Sequence, residues 1–331
     1  MNSFGQIFRV NIFGESHGES VGILIDGCPA GLPIGPEDLL VDIERRKGGQ
    51  RPGTTPRKEE DWPLFKSGLF KGKTTGAPLL IYFENNNTRS SDYEQQRSIP
   101  RPGHADFVAT KKFGGFEDYR GSGHFSGRLT LPLVAAGAIA KKLLGAVRIT
   151  ANLIEVGGHI DIEKGIQRAI EQKDSVGGVV ECRVKGLPVG LGEPFFDATE
   201  SLLAHVVFAV PAIRGIEFGT GFAAAKLLGS QHNDAIEDAS GSTRSNHAGG
   251  IVGGLTNGNE LVFRVAVKPT SSTPQEQRSL NMVTGEQEDF AIKGRHDLCI
   301  ALRVPVVIEA VTAMVLADLL LRDQQLRRVL P

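Results

Sequence analysis

The stretch "QIFRVNIFGESHGESVGILIDG", residues 6–27, decides the fold class. Its two ends, 6–13 and 20–27, are rich in Val and Ile and are bounded by Gly or Asn, which reads as two strands with no helix between them. The same pattern recurs in "PLLIYFEN" (78–85), "AVRITANLIEV" (146–156), "GVVECRVKG" (178–186) and "NELVFRVAVK" (259–268). Helical periodicity falls at "PEDLLVDIERR" (36–46), with Pro36 in the first turn, and at 128–144, 161–172 and 198–209. A long run, "PVVIEAVTAMVLADLLLRDQQLRR", predicts a last helix over 305–328. Strands in adjacent runs between helices, without strict βαβ alternation, predict an α+β fold. No repeat or linker interrupts the chain, so residues 1–331 read as one domain. Two long segments, 45–60 and 268–297, read as functional loops.

With 331 residues, 40% of them hydrophobic, the chain can bury a large core, and its formal charge of −1 predicts neither nucleic acid nor an anionic membrane as partner. Cys28, Cys182 and Cys299 are too few and too scattered for a disulfide framework or a zinc site, which fits a reducing, cytoplasmic setting. The N-terminus carries no signal-peptide pattern, and the longest uncharged run, "LPLVAAGAIA" at 131–140, is too short to span a bilayer.

Four regions concentrate ionisable residues and glycine. In "FGESHGES" (13–20), His17 stands between glycines at a strand end, where a catalytic group or a surface-turn histidine fits equally. "IERRKGGQRPGTTPRKEED" (43–61) gathers Arg45, Arg46, Lys47, Arg51, Arg57 and Lys58, and arginine forks suit carboxylate and phosphate. The acids at 59–61 favour a solvated charge run instead. The third region joins "RPGHAD" (101–106), where prolines and glycine set the angles of charged side chains, to "DYRGSGHFSGRLT" (118–130). There, oriented amides, a helix start and Arg128 make an anion-binding arrangement. The fourth comprises "TRSNHAGGIVGG" (243–254), "KPTSST" (268–273) and "GRHD" (294–297). "GTGFAA" (219–224) matches a dinucleotide fingerprint but lacks the acidic residue that a second strand should supply, and "AGGIVGG" lacks a P-loop ending. Arginines, histidines and one Arg-His-Asp cluster, without a nucleophile triad or a metal cage, suit a small polyanion and proton transfers.

The order "FGESHG…DIERRK…TTGAP…RPGHAD…DYRGSG…SNHAGGIVGG…KPTSS…GRHD" resembles the chorismate synthase family from the N-terminus to the last helix. The resemblance implies a β-α-β sandwich, with a helical layer between antiparallel sheets, assembled as a homotetramer. It implies 1,4-anti elimination of phosphate and a C–H proton from 5-enolpyruvylshikimate 3-phosphate, giving chorismate, with reduced FMN required but no net redox change. NADPH reduces the flavin in some members. By motif, Arg46, Arg101, Arg128 and Arg295 would bind the substrate's phosphate and carboxylates, with Arg45 and Arg51 nearby. His104 would protonate the departing phosphate, His17 would serve the reduced flavin, and Asp297 would accept a proton at the flavin edge. Lys268, Pro269, Thr270, Ser271, Ser272, Gly253, Ala212, Ser126, His124 and Arg295 fall at the flavin-binding positions. Where the family commonly reads Arg-Ser-Ser-Ala-Arg-Glu-Thr, this chain has His124, Phe125, Ser126, Gly127, Arg128, Leu129 and Thr130, which predicts weaker or pH-dependent FMN binding. A flavin-dependent NAD(P)H oxidoreductase, an inactive homologue and a nucleic-acid binder are the alternatives.

Overall fold

The computed structural model describes residues 1–49, 52–55, 59–86, 98–292 and 296–325. The opening stretch forms strands β2 (Arg9–Gly14) and β3 (Ser20–Asp26), preceded by the short β1 (Ser3–Phe4). With β4 (Leu64–Ser67) and β5 (Leu79–Glu84) they make an antiparallel sheet in the order β1-β2-β3-β5-β4. Register places Ile12 opposite Ile23 and Ile23 opposite Ile81, so alternate side chains share one face. Val21, Ile23, Ile25, Leu79, Ile81 and Phe83 are buried on it, whereas Leu24 and Asp26 point to solvent. A second antiparallel sheet holds β6 (Arg148–Val156), β7 (Gly178–Lys185), β8 (Ile213–Phe218) and β9 (Leu261–Val267), in the order β8-β9-β7-β6.

Between the sheets lies a helical layer. The main helices are α1 (Pro36–Arg46), α2 (Asp106–Phe113), α3 (Thr130–Leu144), α4 (Ile162–Gln172), α5 (Thr199–Val207) and α6 (Val304–Gln325). Helix α3 packs on the first sheet and α6 on the second, and the two helices pack on each other. Residues 131–140 of α3 are buried without interruption, which is why this segment shows no amphipathic stripe. The helices approach closely at Gly137, where a Cβ would lie 2.3 Å from Ala310, so any side chain there would force the layer apart. The segment Ile300–Asp323 is long and apolar enough to cross a membrane, but 83% of that apolar window is buried inside the protein, as in a core helix. The result is the sheet–helix–sheet sandwich of an α+β fold.

Two carboxylates on α6 tie this layer together. Asp318 accepts backbone N–H bonds from Gln6, Ile7 (2.7 Å) and Phe8 (2.9 Å), satisfying donors at the entry to β2 that would otherwise be orphaned. Glu309 accepts from Arg45 (2.6 Å), Lys141 (2.8 Å) and the Ala151 N–H (3.0 Å). Four of these elements were not expected: β1, β4, β8 and α2. The segment 268–297 is also less bare than expected, for it contains the hairpin Gln277–Leu280 with Gln287–Phe290.

Candidate active site

"RPGHAD" folds into a turn followed by the first residue of α2. Pro102 and Gly103 reverse the chain so that the His104 N–H bonds to the Arg101 carbonyl (3.2 Å) and Asp106 meets the Arg101 guanidinium through two 2.7 Å bonds, from Nε and Nη2. His104 Nδ1 lies 2.6 Å from Asp106 Oδ1. Burial raises the Asp106 pKa, but the hydrogen bonds from Arg101 and His104 outweigh it and hold the carboxyl far below its usual range. A carboxylate only accepts, so Nδ1 carries the hydrogen and donates to Asp106, leaving Nε2 as the working nitrogen of His104. Arg101 Nη1 donates to Ser272 (3.0 Å) and Nη2 to Ser122 (2.9 Å), which ties this turn to two other loops. Lys268 and Ser271 complete the tie by donating to the Gly103 carbonyl at 2.5 and 2.8 Å.

Arg101 and His104 line a cavity of about 250 Å³, and Arg46 and Arg128 line it as well. Arg46 closes α1, and its Nε donates to Thr130 Oγ1 (2.9 Å) at the start of α3. Its Nη2 donates to the Gly127 carbonyl (3.0 Å), and Asp61 lies 3.7 Å away. Burial, then the neighbouring Arg303 and Arg128 charges, bring the Arg46 pKa down to about 9, so it remains cationic at neutral pH. Arg128 donates to Asp61 and to Asn85 Oδ1 (3.0 Å), with Glu59 3.8 Å away. The acids at 59–61 are thus not a uniformly solvated run: the Asp61 and Glu59 side chains are only 2% and 7% exposed and turn inward to the arginines. Asp297 lines the same cavity, accepting from the Thr55 N–H (2.8 Å) and from Arg303 (2.9 Å). Ser126, Thr270 and Ser272 supply hydroxyls to the wall, and Val210, Ile300, Val304 and Val307 supply an apolar strip.

A family model for chorismate synthase matches residues 8–321. The chain belongs to the chorismate synthase family. A chorismate synthase of Chitinophaga pinensis is 69% identical over 330 residues, covering 99% of both chains. Those of Dehalococcoides mccartyi and Methanosarcina mazei are 46% and 42% identical, over 99% and 97% of this chain. A crystal structure of chorismate synthase superposes with a TM-score of 0.74 at 26% identity, covering 97% of this chain and 93% of that one.

Of the residues matched to the family by motif, the structure brings Arg46, Arg101, His104, Ser126, Arg128, Thr270, Ser272 and Asp297 to one cavity. His17 is buried beside Ser16, which lines the wall. Gly121 lies over its ring, and a Cβ there would fall 2.1 Å from the imidazole, so this close approach admits only glycine. His124 turns away from the cavity, with Nδ1 2.9 Å from the Gly14 carbonyl and Nε2 3.2 Å from Asn2. Ala212 and Lys268 are joined by a 2.9 Å backbone bond next to the wall residue Pro211, and Gly253 sits in the turn of a separate small hairpin. Neither they nor Pro269 and Ser271 line the cavity. Arg51 and Arg295 lie outside the described residues. Sequence reasoning missed Glu59, Asp61, Ser122 and Arg303, each of which contacts a matched residue from a distant position or by a charge read as solvated.

Proposed function

We propose that this cavity is where the chain turns 5-enolpyruvylshikimate 3-phosphate into chorismate, as a carbon–oxygen lyase of its family. The observation that carries the reading is the convergence of Arg46, Arg101 and Arg128, all buried, beside a histidine whose tautomer a carboxylate has set. Arg46 and Arg128 hold the anionic groups of the substrate, and an arriving anion relieves the mutual repulsion among Arg46, Arg128 and Arg303. Arg101 is already bound to Asp106, Ser122 and Ser272, so it orients His104 as much as it attracts phosphate. From Nε2, His104 gives the departing phosphate its proton. Asp297, fixed by Arg303 and the Thr55 N–H, takes up the proton released from carbon.

The wall fits the edge of a flavin, because hydroxyl donors at Ser126, Thr270 and Ser272 stand beside an apolar strip. When bound, reduced FMN supplies the transient electron that lets phosphate leave a carbon whose neighbouring proton is not acidified. At about 250 Å³ the cavity is small beside most small-molecule pockets, which run to roughly 300–1,000 Å³. His17, under Gly121, belongs to the flavin side. Exposed Phe195, Phe196 and Phe222 support self-association as a homotetramer, and three buried, reduced cysteines support a cytoplasmic setting.

The test is anaerobic: protein, chemically reduced FMN and substrate, following phosphate release and the diene absorbance of chorismate. Turnover that requires reduced FMN and falls about 10²–10⁴-fold in His104→Ala supports the assignment. Retention of full activity in His104→Ala would refute it. Anaerobic oxidation of NADPH in the same cuvette reads whether the protein reduces its own flavin.

A further inference from the structure

Ser122 stands between Gly121 and Gly123 with φ +71°, ψ +11°, in the left-handed region that L side chains avoid. Both flanking glycines are also left-handed, and a third glycine here would remove the strain. The serine hydroxyl shows what the strain accompanies. Its Oγ accepts from Arg101 Nη2 (2.9 Å) and lies 3.3 Å from His104 Nε2, the nitrogen that faces away from Asp106. Because Arg101 donates to Oγ, the hydroxyl's own hydrogen turns away from the guanidinium, and Nε2 of a neutral imidazole is its nearby acceptor.

Resting on the assignment of His104 as the proton donor, we infer that Ser122 is a positioning residue for it. The hydroxyl pins the Nε2 edge of the imidazole while Asp106 pins the Nδ1 edge, so the ring cannot rotate about either nitrogen. The same Oγ serves both protonation states. It donates to Nε2 when the ring is neutral, and when the ring is charged its hydrogen turns to the cavity, leaving Nε2–H shared between Oγ and the departing phosphate. Ser122, His104 and Arg101 also line a second cavity of about 130 Å³, where Asp106, Glu117 and Asp118 lie. The pinned imidazole therefore forms part of the partition between the two cavities.

The inference separates from a purely structural role because glycine is the better residue for this backbone. In Ser122→Gly the melting temperature holds or rises, whereas kcat falls about tenfold with KM for the shikimate substrate changed less than twofold. Ser122→Ala, which keeps the left-handed strain and also lacks the hydroxyl, shows the same kcat loss. Unchanged kcat in Ser122→Gly would overturn the inference. So would a rise in KM without a fall in kcat, which would make the hydroxyl a tie for Arg101 alone. Loss of activity in Ser122→Ala but not in Ser122→Gly would also overturn it, by tracing the effect to backbone strain. If His104→Ala retains activity, the assignment beneath the inference fails, and the Ser122 measurements lose their subject separately from their own result.

Discussion

Arg45 and Arg46 are neighbours on the last turn of α1, and they have opposite fates. Arg45 makes bonds of 2.6–2.9 Å with two carboxylates, Glu309 on α6 and Asp42 on its own helix, and Lys141 of α3 joins the same pair. Glu309 is the leading cause that raises the Arg45 pKa above its ordinary value. Arg46, about a hundred degrees further round the helix, reaches neutral acceptors on Thr130 and Gly127 and shares Asp61 with Arg128, with Asp297 a weaker attraction. Its pKa is lowered, first by burial and then by other arginines. A cation matched by fixed carboxylates is fastening. A buried cation left short of them suits the anion-binding role proposed for Arg46.

Removing Arg46 is the strongest way to break this contrast. Arg46→Met should lower kcat/KM for the substrate about 10²–10³-fold, roughly 3–4 kcal/mol, with little loss of melting temperature, because it relieves charge repulsion. A variant that loses stability instead of activity would show that Arg46 fastens the layer as Arg45 does. Arg46→Lys keeps the charge but loses the Nε–H bond to Thr130. Steady-state kinetics should show an intermediate loss of about tenfold, because a lysine cannot reproduce the guanidinium fork.

Arg45→Met should give the mirror image: substrate kinetics within about threefold of wild type, and urea unfolding weakened by about 1–2 kcal/mol. The cost is below that of breaking a fully buried pair because the Arg45 side chain is 43% exposed and Lys141 still serves Glu309. A large kinetic loss with unchanged stability would place Arg45 in the site.

The smallest effect is in acid. Burial raises the Glu309 pKa, but Arg45 and Lys141 outweigh it and bring it below the ordinary value. A depressed folded-state pKa stabilises the fold above the unfolded value, about 4.3, and that contribution disappears as the pH falls through the folded value. Glu309→Gln should therefore be less stable than wild type at pH 6 and converge on it below about pH 4. Urea midpoints across that range check it, and a constant gap between the two curves would remove the electrostatic account.

Much of this molecule is written locally. Six strands and five helices follow from Val/Ile runs, glycine boundaries and Pro36, and the family motifs name most of the cavity wall. Strand β8 escaped because Gly215 sits at an irregularity in its pairing with β9, which breaks the alternation a reader looks for. Helix α2 escaped because only Ala109 on it is buried, so it has no apolar stripe to show. The long-range partners escaped for another reason. Asp61 lies 67 positions from Arg128, Arg303 lies 257 from Arg46, and Asp318 caps a strand entry more than 300 residues away.

By itself, then, the sequence determined the periodic elements, the turn geometry of "RPGHAD" and the order of motifs that marks the family, because these depend on backbone preferences and spacing over a few residues. The tertiary structure decided which of two adjacent arginines is neutralised, that the acids at 59 and 61 face inward, and that Ser122 reaches His104. Those outcomes depend on which helix face meets which sheet, and therefore on contacts between segments that no local pattern connects.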